Sequence, residues 1–279
     1  MTYRELLKES AVLKDEGRLL LMALMDWDLT AFLDRADSEA SPSDVIRFWE
    51  AVKQREAHVP LQHITGKAPF YGRDFMVNGS VLIPRFDTEI LVYEALKEIR
   101  KRQDQAEGEA EVLDLCTGSG CIAVTLRLEG AAGRITASDL SPEALETARK
   151  NAELLGASDI DFVLSDMFSG ISGQFDLIVS NPPYIPDDVI RTLDPEVKEH
   201  DPYMALSGGE DGLVFYRIIA AEAGRHLKKG GRLFLEIGHD QGKSVSELLN
   251  KHHFTDIRVI QDLNGKDRVI TCSTDLKIF

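Results

Sequence analysis

Cysteine is scarce in this chain, and the three present, Cys116, Cys121 and Cys272, form no Cys-x-x-Cys pair. Any disulfide scheme leaves one over, which fits reduced thiols in a cytoplasmic protein better than an oxidised scaffold. The seven histidines show no metal-ligand spacing, so no metal site is expected. Positive charge is short as well: 32 Lys and Arg stand against 47 Asp and Glu, a formal net charge of −15. Proteins that track along nucleic-acid backbones need clustered Lys and Arg, so direct nucleic-acid binding is not expected. Long apolar runs are missing too. The run "LLLMALM" at Leu19 to Met25 is too short for a bilayer and stops at Asp26, and the opening "MTYRELLKES" is not a signal peptide, so no membrane role is expected.

What remains is an ordinary globular composition, 43% hydrophobic and 28% charged, over 279 residues. That length supports one large or two modest domains. From Tyr3 to about His58 the periodicity is helical with no strand candidate. "YRELLKESAVLKDEG" reads as a helix ending at Gly17, a second runs through the Leu-rich segment, and "SPSDVIRFWEAVKQREAHVP" starts at Ser/Asp caps and stops at Pro60. These predict a small helical bundle over residues 1–66. In the linker, residues 67–86, "FYGRDFMVNGSVLIP" carries two alternating apolar runs around Asn78-Gly79, which predicts a β-hairpin turning there.

Over residues 87–279 strands and helices alternate, which predicts a parallel, doubly wound α/β domain. The strands read are "EVLDL" at 111–115, "RITAS" at 134–138, "IDFVL" at 160–164, "FDLIVS" at 175–180 and "GRLFLEIG" at 231–238. One intervening helix opens at Ser141-Pro142, a cap residue followed by Pro at the first helical position. "DIRVIQ" and "DRVITCS" are separated only by "DLNGK", too little for a crossover, so they must be antiparallel neighbours. A parallel sheet closed by such a hairpin resembles the seven-stranded, Rossmann-like class I S-adenosylmethionine-dependent methyltransferase fold more than a six-stranded dinucleotide fold.

"LDLCTGSGCIA", Leu113 to Ala123, follows the first of these strands and opens a helix. Its segment Cys116, Thr117, Gly118, Ser119 and Gly120 is the candidate cofactor loop, with glycines where a backbone must turn tightly and approach a ligand. Read as Gly118-x-Gly120-x-x-Ala123 it also satisfies the dinucleotide fingerprint, so NAD and S-adenosylmethionine both remain open on this loop. Asp139, ending the second strand, can accept two ribose hydroxyls in either case. The lesser alternative is an acid placed at a helix N-terminus. Asp166 and Met167 follow the third strand, where a methyltransferase takes adenine with an acidic acceptor and an apolar contact.

The fourth strand runs into "SNPPYIP", Ser180 to Pro186. Two consecutive prolines donate no backbone hydrogen bond and cannot continue a central strand, so the chain must leave the sheet here. The bland reading is a rigid turn. Asn181-Pro182-Pro183-Tyr184 at this place also looks like the motif of methyltransferases acting on amide or exocyclic amino nitrogens. A carboxamide nitrogen is a poor nucleophile because its lone pair is delocalised into the carbonyl. Attack on a sulfonium methyl drives positive charge onto that nitrogen, so acceptors aimed at its N–H groups favour the transition state over the ground state. The Asn181 side-chain oxygen and the Pro182 carbonyl can supply two, and Tyr184 can hold the planar amide in line. The candidate catalytic set is Asn181, Pro182 and Tyr184, with Pro183 added for substrate binding and Asn181 for cofactor binding.

Six stretches narrow the resemblance: "LIPRFDTE" at 82–89, "LDLCTGSGCIA", "IVSNPPYIP", "ALSGGEDGL" at 205–213, "LEIGHDQG" at 235–242 and "DLNGKDR" at 262–268. In this order, from about residue 60 to the end, they are similar to the release factor glutamine methyltransferase family. A sister family that methylates a ribosomal-protein glutamine usually lacks the Asp-Thr-Glu run. The resemblance implies S-adenosylmethionine as cofactor, S-adenosylhomocysteine as product, and methylation of the glutamine in a Gly-Gly-Gln loop of peptide-chain release factors. It also implies that the N-terminal bundle docks the protein substrate. Two positions depart from the family pattern: Cys116 stands where glycine is commoner, and Phe86 where proline is. Arg85, Thr88 and Glu89 have two readings, covering the cofactor or guiding the substrate loop on one hand and capping the next helix on the other. Glu236 has a similar double reading.

Overall fold

The computed structural model describes residues 1–10, 14–105, 108–130 and 132–274, in two compact units. The first comprises Met1–Lys67 together with Asp194–His200. It holds α1 (Tyr3–Glu9), α2 (Lys14–Met25), α3 (Leu29–Arg35), α4 (Pro42–Glu56) and α5 (Leu61–Thr65). Thr2 and Glu5 form a reciprocal capping box at α1, and Ser41 caps α4 ahead of Pro42. The stretch expected as one helix to Gly17 is divided. Helix α1 stops at Ser10, whose backbone is extended (φ −72°, ψ 139°), and Gly17 lies inside α2. Part of that expectation, residues 11–13, falls outside the described residues. Leu6, Leu20, Leu21, Phe32 and Phe48 fill the core of this unit. At its edge Arg55 donates to Glu16 (Nε to Oε2, 2.9 Å) and to Glu196, so the segment from Asp194 to His200 is tied to α4 by a charged pair.

The second unit runs from Ala68 to Leu193 and from Asp201 onward. A two-stranded sheet of β1 (Lys67–Phe70) and β2 (Arg73–Met76) opens it. The expected turn at Asn78-Gly79 is not where the chain reverses. Tyr71 and Gly72 connect the strands, and both hold the positive φ (49° and 74°) that a two-residue hairpin connection requires. Asn78 instead forms a local turn, its Oδ1 accepting from Ser80 N at 2.8 Å while its Nδ2 donates to Thr147 at 3.1 Å. Phe70 and Phe75 are buried in the main core of this unit, so the hairpin belongs to the α/β body rather than serving as a connection alone.

Then follow α6 (Thr88–Asp104), β3 (Ala110–Leu115), α7 (Cys121–Leu128), β4 (Ala132–Asp139), α8 (Pro142–Leu155), β5 (Asp161–Leu164) and β6 (Phe175–Ser180). Short turns α9 (Asp187–Ile190) and α11 (Tyr203–Leu206) flank α10 (Pro195–Lys198), which belongs to the first unit. Helix α12 (Val214–His226), β7 (Leu227–Glu236), α13 (Gly242–Lys251), β8 (Phe254–Gln261) and β9 (Asp267–Thr274) complete the unit. The sheet has seven strands in the order β5-β4-β3-β6-β7-β9-β8. Strands β3 to β7 pair in parallel, and β9 is antiparallel to both β7 and β8. Side chains alternate across it: Val112, Leu177 and Val179 join one apolar layer with α6 and α7, while Leu113, Leu115 and Ile178 join the other with α12 and α13. Burial on both faces explains the apolar run Leu177–Val179 at the centre of β6. Among the described residues no helix is long and apolar enough to cross a membrane.

Candidate active site

Parallel pairing aligns the carboxyl ends of the central strands. Leu115 stands beside Ser138 and Ser180, Asp139 beside Leu164, and Ser180 beside Leu235. The loops leaving these ends surround a cavity of about 300 Å³, on the side where open α/β sheets bind ligands.

The loop after β3 is braced from below. Asp114, fully buried, accepts from Thr117 Oγ1 at 2.6 Å and from Ala123 N at 3.1 Å. Burial pushes its carboxyl up to about 7, against the pull of those two donors. Sequence reasoning missed Asp114, although an acid among apolar neighbours in a central strand was the available signal. Above it, Cys116 and Gly118 hold φ of 64° and 55°. A β-carbon at Gly118 would meet nothing within 4 Å, and the residue lines the cavity. At Gly120 a β-carbon would stand 3.0 Å from that of Ala148, so this glycine sets the approach of the loop to α8 rather than facing the cavity.

Asp139 closes the loop from the second strand, its two oxygens accepting from Gly118 N and Ser141 N, each at 2.9 Å. A carboxylate oxygen has more than one acceptor site, so Asp139 can still take hydroxyl donors from a ligand. Asp166 is exposed and Met167 buried at the cavity wall, where the Met167 sulfur lies 3.9 Å from that of Cys116. Ser165 fixes this corner by donating to Met167 O at 2.7 Å and accepting from Gly170 N at 2.9 Å.

On the other side, the Ser180 hydroxyl donates to Leu115 O at 2.6 Å, fastening the end of β6 to β3. The next residue, Asn181, donates its amide nitrogen to Thr88 Oγ1 at 3.2 Å. Its Oδ1 is therefore the end of the carboxamide available as an acceptor. Pro182 is buried, and Pro183 lines the cavity. Tyr184 is half-buried against the α12 side of the core, its hydroxyl 3.5 Å from Glu236 Oε1 and its carbonyl accepting from Gln241 Nε2 at 2.9 Å. Glu236 is 1% exposed, and burial lifts its carboxyl to about 7 while Thr88, Arg268 and Tyr184 work in the opposite direction.

Of the residues singled out from sequence, the cavity thus gathers Cys116, Thr117, Gly118, Ser119, Asp139, Asp166, Met167, Asn181 and Pro183. Gly120, Pro182 and Tyr184 stand behind the wall. Arg85 and Thr88 also line it, with Arg85 donating to the buried Asp201 at 2.7 Å. Glu89 instead accepts from Tyr71 N at 2.8 Å, pinning the hairpin turn to α6. Asp87 makes no side-chain cap bond and pairs with Arg268 at 3.2 Å. Leu140, Tyr203, Met204 and Phe215 line the cavity and escaped the sequence reading, because nothing local distinguishes such apolar residues from core or loop. An apolar pocket with a carboxylate acceptor at one part and an amide acceptor at another has the chemistry to hold a nucleoside-like group beside a planar N–H₂ donor.

Residues 92–193 match the Methyltransferase small domain family, and residues 2–66 match the PrmC N-terminal domain family. The release factor glutamine methyltransferase of Agrobacterium fabrum is 42% identical over 260 residues, 92% of this chain and 89% of that relative. That of Cereibacter sphaeroides is 43% identical over 257 residues, again covering 92% of this chain and 89% of that relative. The chain belongs to the release factor glutamine methyltransferase family. A crystal structure of a methyltransferase from Pyrococcus furiosus, 22% identical, superposes with a TM-score of 0.56 over 80% of this chain and all of that one, a likeness of fold. The sheet order and this likeness give the second unit the class I methyltransferase fold, and membership of the family makes the protein a methyltransferase enzyme. Membership of the release factor glutamine methyltransferase family displaces the dinucleotide reading of the Gly118-x-Gly120 loop.

Proposed function

We propose that this enzyme uses S-adenosylmethionine to methylate the side-chain amide nitrogen of the glutamine in the Gly-Gly-Gln loop of peptide-chain release factors. The observation that carries the reading is the orientation of Asn181. With its nitrogen held by Thr88, its oxygen is the atom offered to an incoming amide at the end of β6. The names of the relatives supply the release factor as protein substrate. The cavity fits the cofactor: Gly118 leaves open space where a side chain would project, and Asp139 is an acceptor held by two backbone donors. S-adenosylmethionine, when bound, supplies an electrophilic sulfonium methyl. Asp139 would hold the ribose hydroxyls, Asp166 and Met167 the adenine, and the segment Cys116 to Ser119 would shape the wall, with Gly120 setting its approach to α8.

Asn181 Oδ1 and the Pro182 carbonyl would accept the two N–H bonds of the substrate amide, bonds that strengthen as positive charge develops on nitrogen. Pro182 and Pro183 contribute stiffness and no competing N–H. The Tyr184 ring would orient the planar amide, reaching it from its half-buried place behind the wall. The helical bundle over residues 1–66 would dock the release factor. The deciding experiment incubates the enzyme and labelled cofactor with purified release factor, and locates the label by peptide mass spectrometry. Label on the Gly-Gly-Gln glutamine, lowered about 10²–10³-fold in kcat by Asn181→Ala, is expected for loss of one preorganised transition-state hydrogen bond. Label elsewhere, or none, overturns the proposal.

A further inference from the structure

We infer that Gln241 is a positioning residue for the transfer: it clamps the carbonyl of Tyr184 and so fixes where the Tyr184 ring stands against the substrate amide. This rests on the reading of Tyr184 as the residue that orients that amide. Two motifs of the sequence supply the clamp, "ALSGGEDGL" at 205–213 and "LEIGHDQG" at 235–242. Gln241, Gly208 and Gly212 all stand outside the cavity lining, so they act at second hand and not on the reacting nitrogen.

The turn from Asn181 to Tyr184 has few means of holding itself in place. Pro182 and Pro183 have no N–H to donate, so this backbone is fastened through its ends and its carbonyls. At the β6 end the Ser180 hydroxyl donates to Leu115 O at 2.6 Å. At the other end Gln241 Nε2 donates to Tyr184 O at 2.9 Å and to Gly212 O at 3.2 Å, while Gln241 Oε1 accepts from Gly238 N at 2.9 Å. A carboxamide has two N–H bonds, and both are spent here on carbonyls. The partners fix which end is which, because a carbonyl only accepts and a backbone N–H only donates. Gln241 is 8% exposed, so these bonds are made away from bulk water, where an unpaired carbonyl is costly.

Local structure offers Gln241 another task that it does not perform. It stands at the N-cap of α13, where Ser, Thr, Asp or Asn would satisfy a free helix N–H, yet its side chain makes no cap bond. The side chain reaches instead to a carbonyl 57 residues away in the chain. The loop it joins there lies directly on Tyr184. A β-carbon at Gly212 would stand 2.5 Å from Tyr184 O and 2.8 Å from Gln241 Nε2, and one at Gly208 would stand 2.8 Å from the Tyr184 α-carbon. Beyond Tyr184 the contact continues, with Ile185 N donating to Leu206 O and Gly208 N to Ile185 O, each at 2.9 Å. Glycines thus admit the Tyr184 backbone, and an amide holds its carbonyl. The ring springs from that same α-carbon, so a shift of this backbone moves the ring. A misplacement of about 1 Å in a group that orients a reactant costs about 10²-fold in rate.

Steady-state methyl transfer to purified release factor tests the clamp, with S-adenosylhomocysteine affinity by calorimetry and urea unfolding midpoints on the same proteins. Gln241→Met keeps the length of the side chain and loses both donors. It should lower kcat about 10- to 100-fold and leave cofactor affinity and KM for the release factor within about threefold of the parent. Gly208→Ala presses on the Tyr184 α-carbon while leaving the Gln241 side chain in place, and should give the same pattern; it carries the test if Gln241→Met does not fold. A double-mutant cycle separates aim from support. With Tyr184→Leu already present, Gln241→Met should cost less than about threefold more, because the ring it aims is gone. Losses that multiply in full would overturn the positioning role. So would parental kcat in Gln241→Met beside an impaired Tyr184→Leu, an outcome that leaves the Tyr184 reading intact. Parental turnover in Tyr184→Leu overturns both. A fall in kcat matched by an equal fall in cofactor affinity makes Gln241 a structural support and also overturns the inference.

Discussion

The sulfur atoms of Cys116 and Met167 lie 3.9 Å apart, and both residues hold left-handed backbone, with φ of 64° and 47°. That conformation costs a residue with a β-carbon roughly 1–2 kcal/mol, so glycine would be held at either position with less strain.

Cys116→Gly should therefore stay within about 1 kcal/mol of the parent, since relief of strain offsets the greater entropy of the unfolded glycine. Cys116→Val should be less stable by about 2 kcal/mol or more, because a branched β-carbon tolerates positive φ least. Urea unfolding midpoints decide it. Equal midpoints for the two variants would show that the backbone at 116 relaxes freely.

Asp139→Ala should weaken S-adenosylhomocysteine binding by roughly 2–4 kcal/mol, the cost of removing one partner from charge-assisted hydrogen bonds. The same change also releases Gly118 N and Ser141 N, so the loss falls on loop order as well as on direct contact. Calorimetry on parent and variant gives the difference. Unchanged affinity would remove Asp139 from the site.

Asp114 predicts a pH dependence of folding. Its carboxyl is pushed up to about 7 in the folded protein, above its ordinary value of 3.8. The folded state then binds more protons than the unfolded one between those values. Its contribution to stability is complete below about 4 and is lost as pH rises toward 7. Asp114→Asn cannot ionise, so its stability relative to the parent should improve by a kcal/mol or more from pH 5 to pH 8. A difference that stays flat over that range would mean the carboxylate is tolerated in ionised form.

Removal of residues 1–66 tests the docking role. The shortened enzyme should still bind S-adenosylhomocysteine, since every cavity-lining residue named above lies in the second unit. Transfer to intact release factor should fall steeply. Turnover equal to that of the full chain would make the bundle dispensable for recognition.

Much of the fold was legible because its signals are local. Seven strands and the closing antiparallel pair follow from alternating runs and from the shortness of "DLNGK". The hairpin was misplaced because Asn-Gly is the stronger turn signal on propensity, whereas Tyr71 adopts positive φ under tertiary constraint, with Glu89 holding its N–H. The site was legible where backbone chemistry leaves a motif, as at Gly118 and Asn181. The bond from Asn181 to Thr88 was not, since it joins residues distant in sequence, and Asp114 was not, since a buried acid in an apolar strand shows its role only through the two donors it collects from the loop and helix that follow. Which glycine faces the ligand and which faces a helix also needs three dimensions: Gly118 and Gly120 look alike in a motif and meet different surroundings.

The first unit is not a contiguous piece of chain, since Asp194–His200 belongs with Met1–Lys67. During synthesis the bundle emerges early, but Glu196 follows only after the hairpin and four strands of the parallel sheet have been made. At translation speeds of about 5–20 residues per second, Arg55 waits roughly 7–28 seconds for that partner, 141 residues on. The bundle is thus completed late, so the order in which the ribosome releases the chain differs from the order of its compact parts.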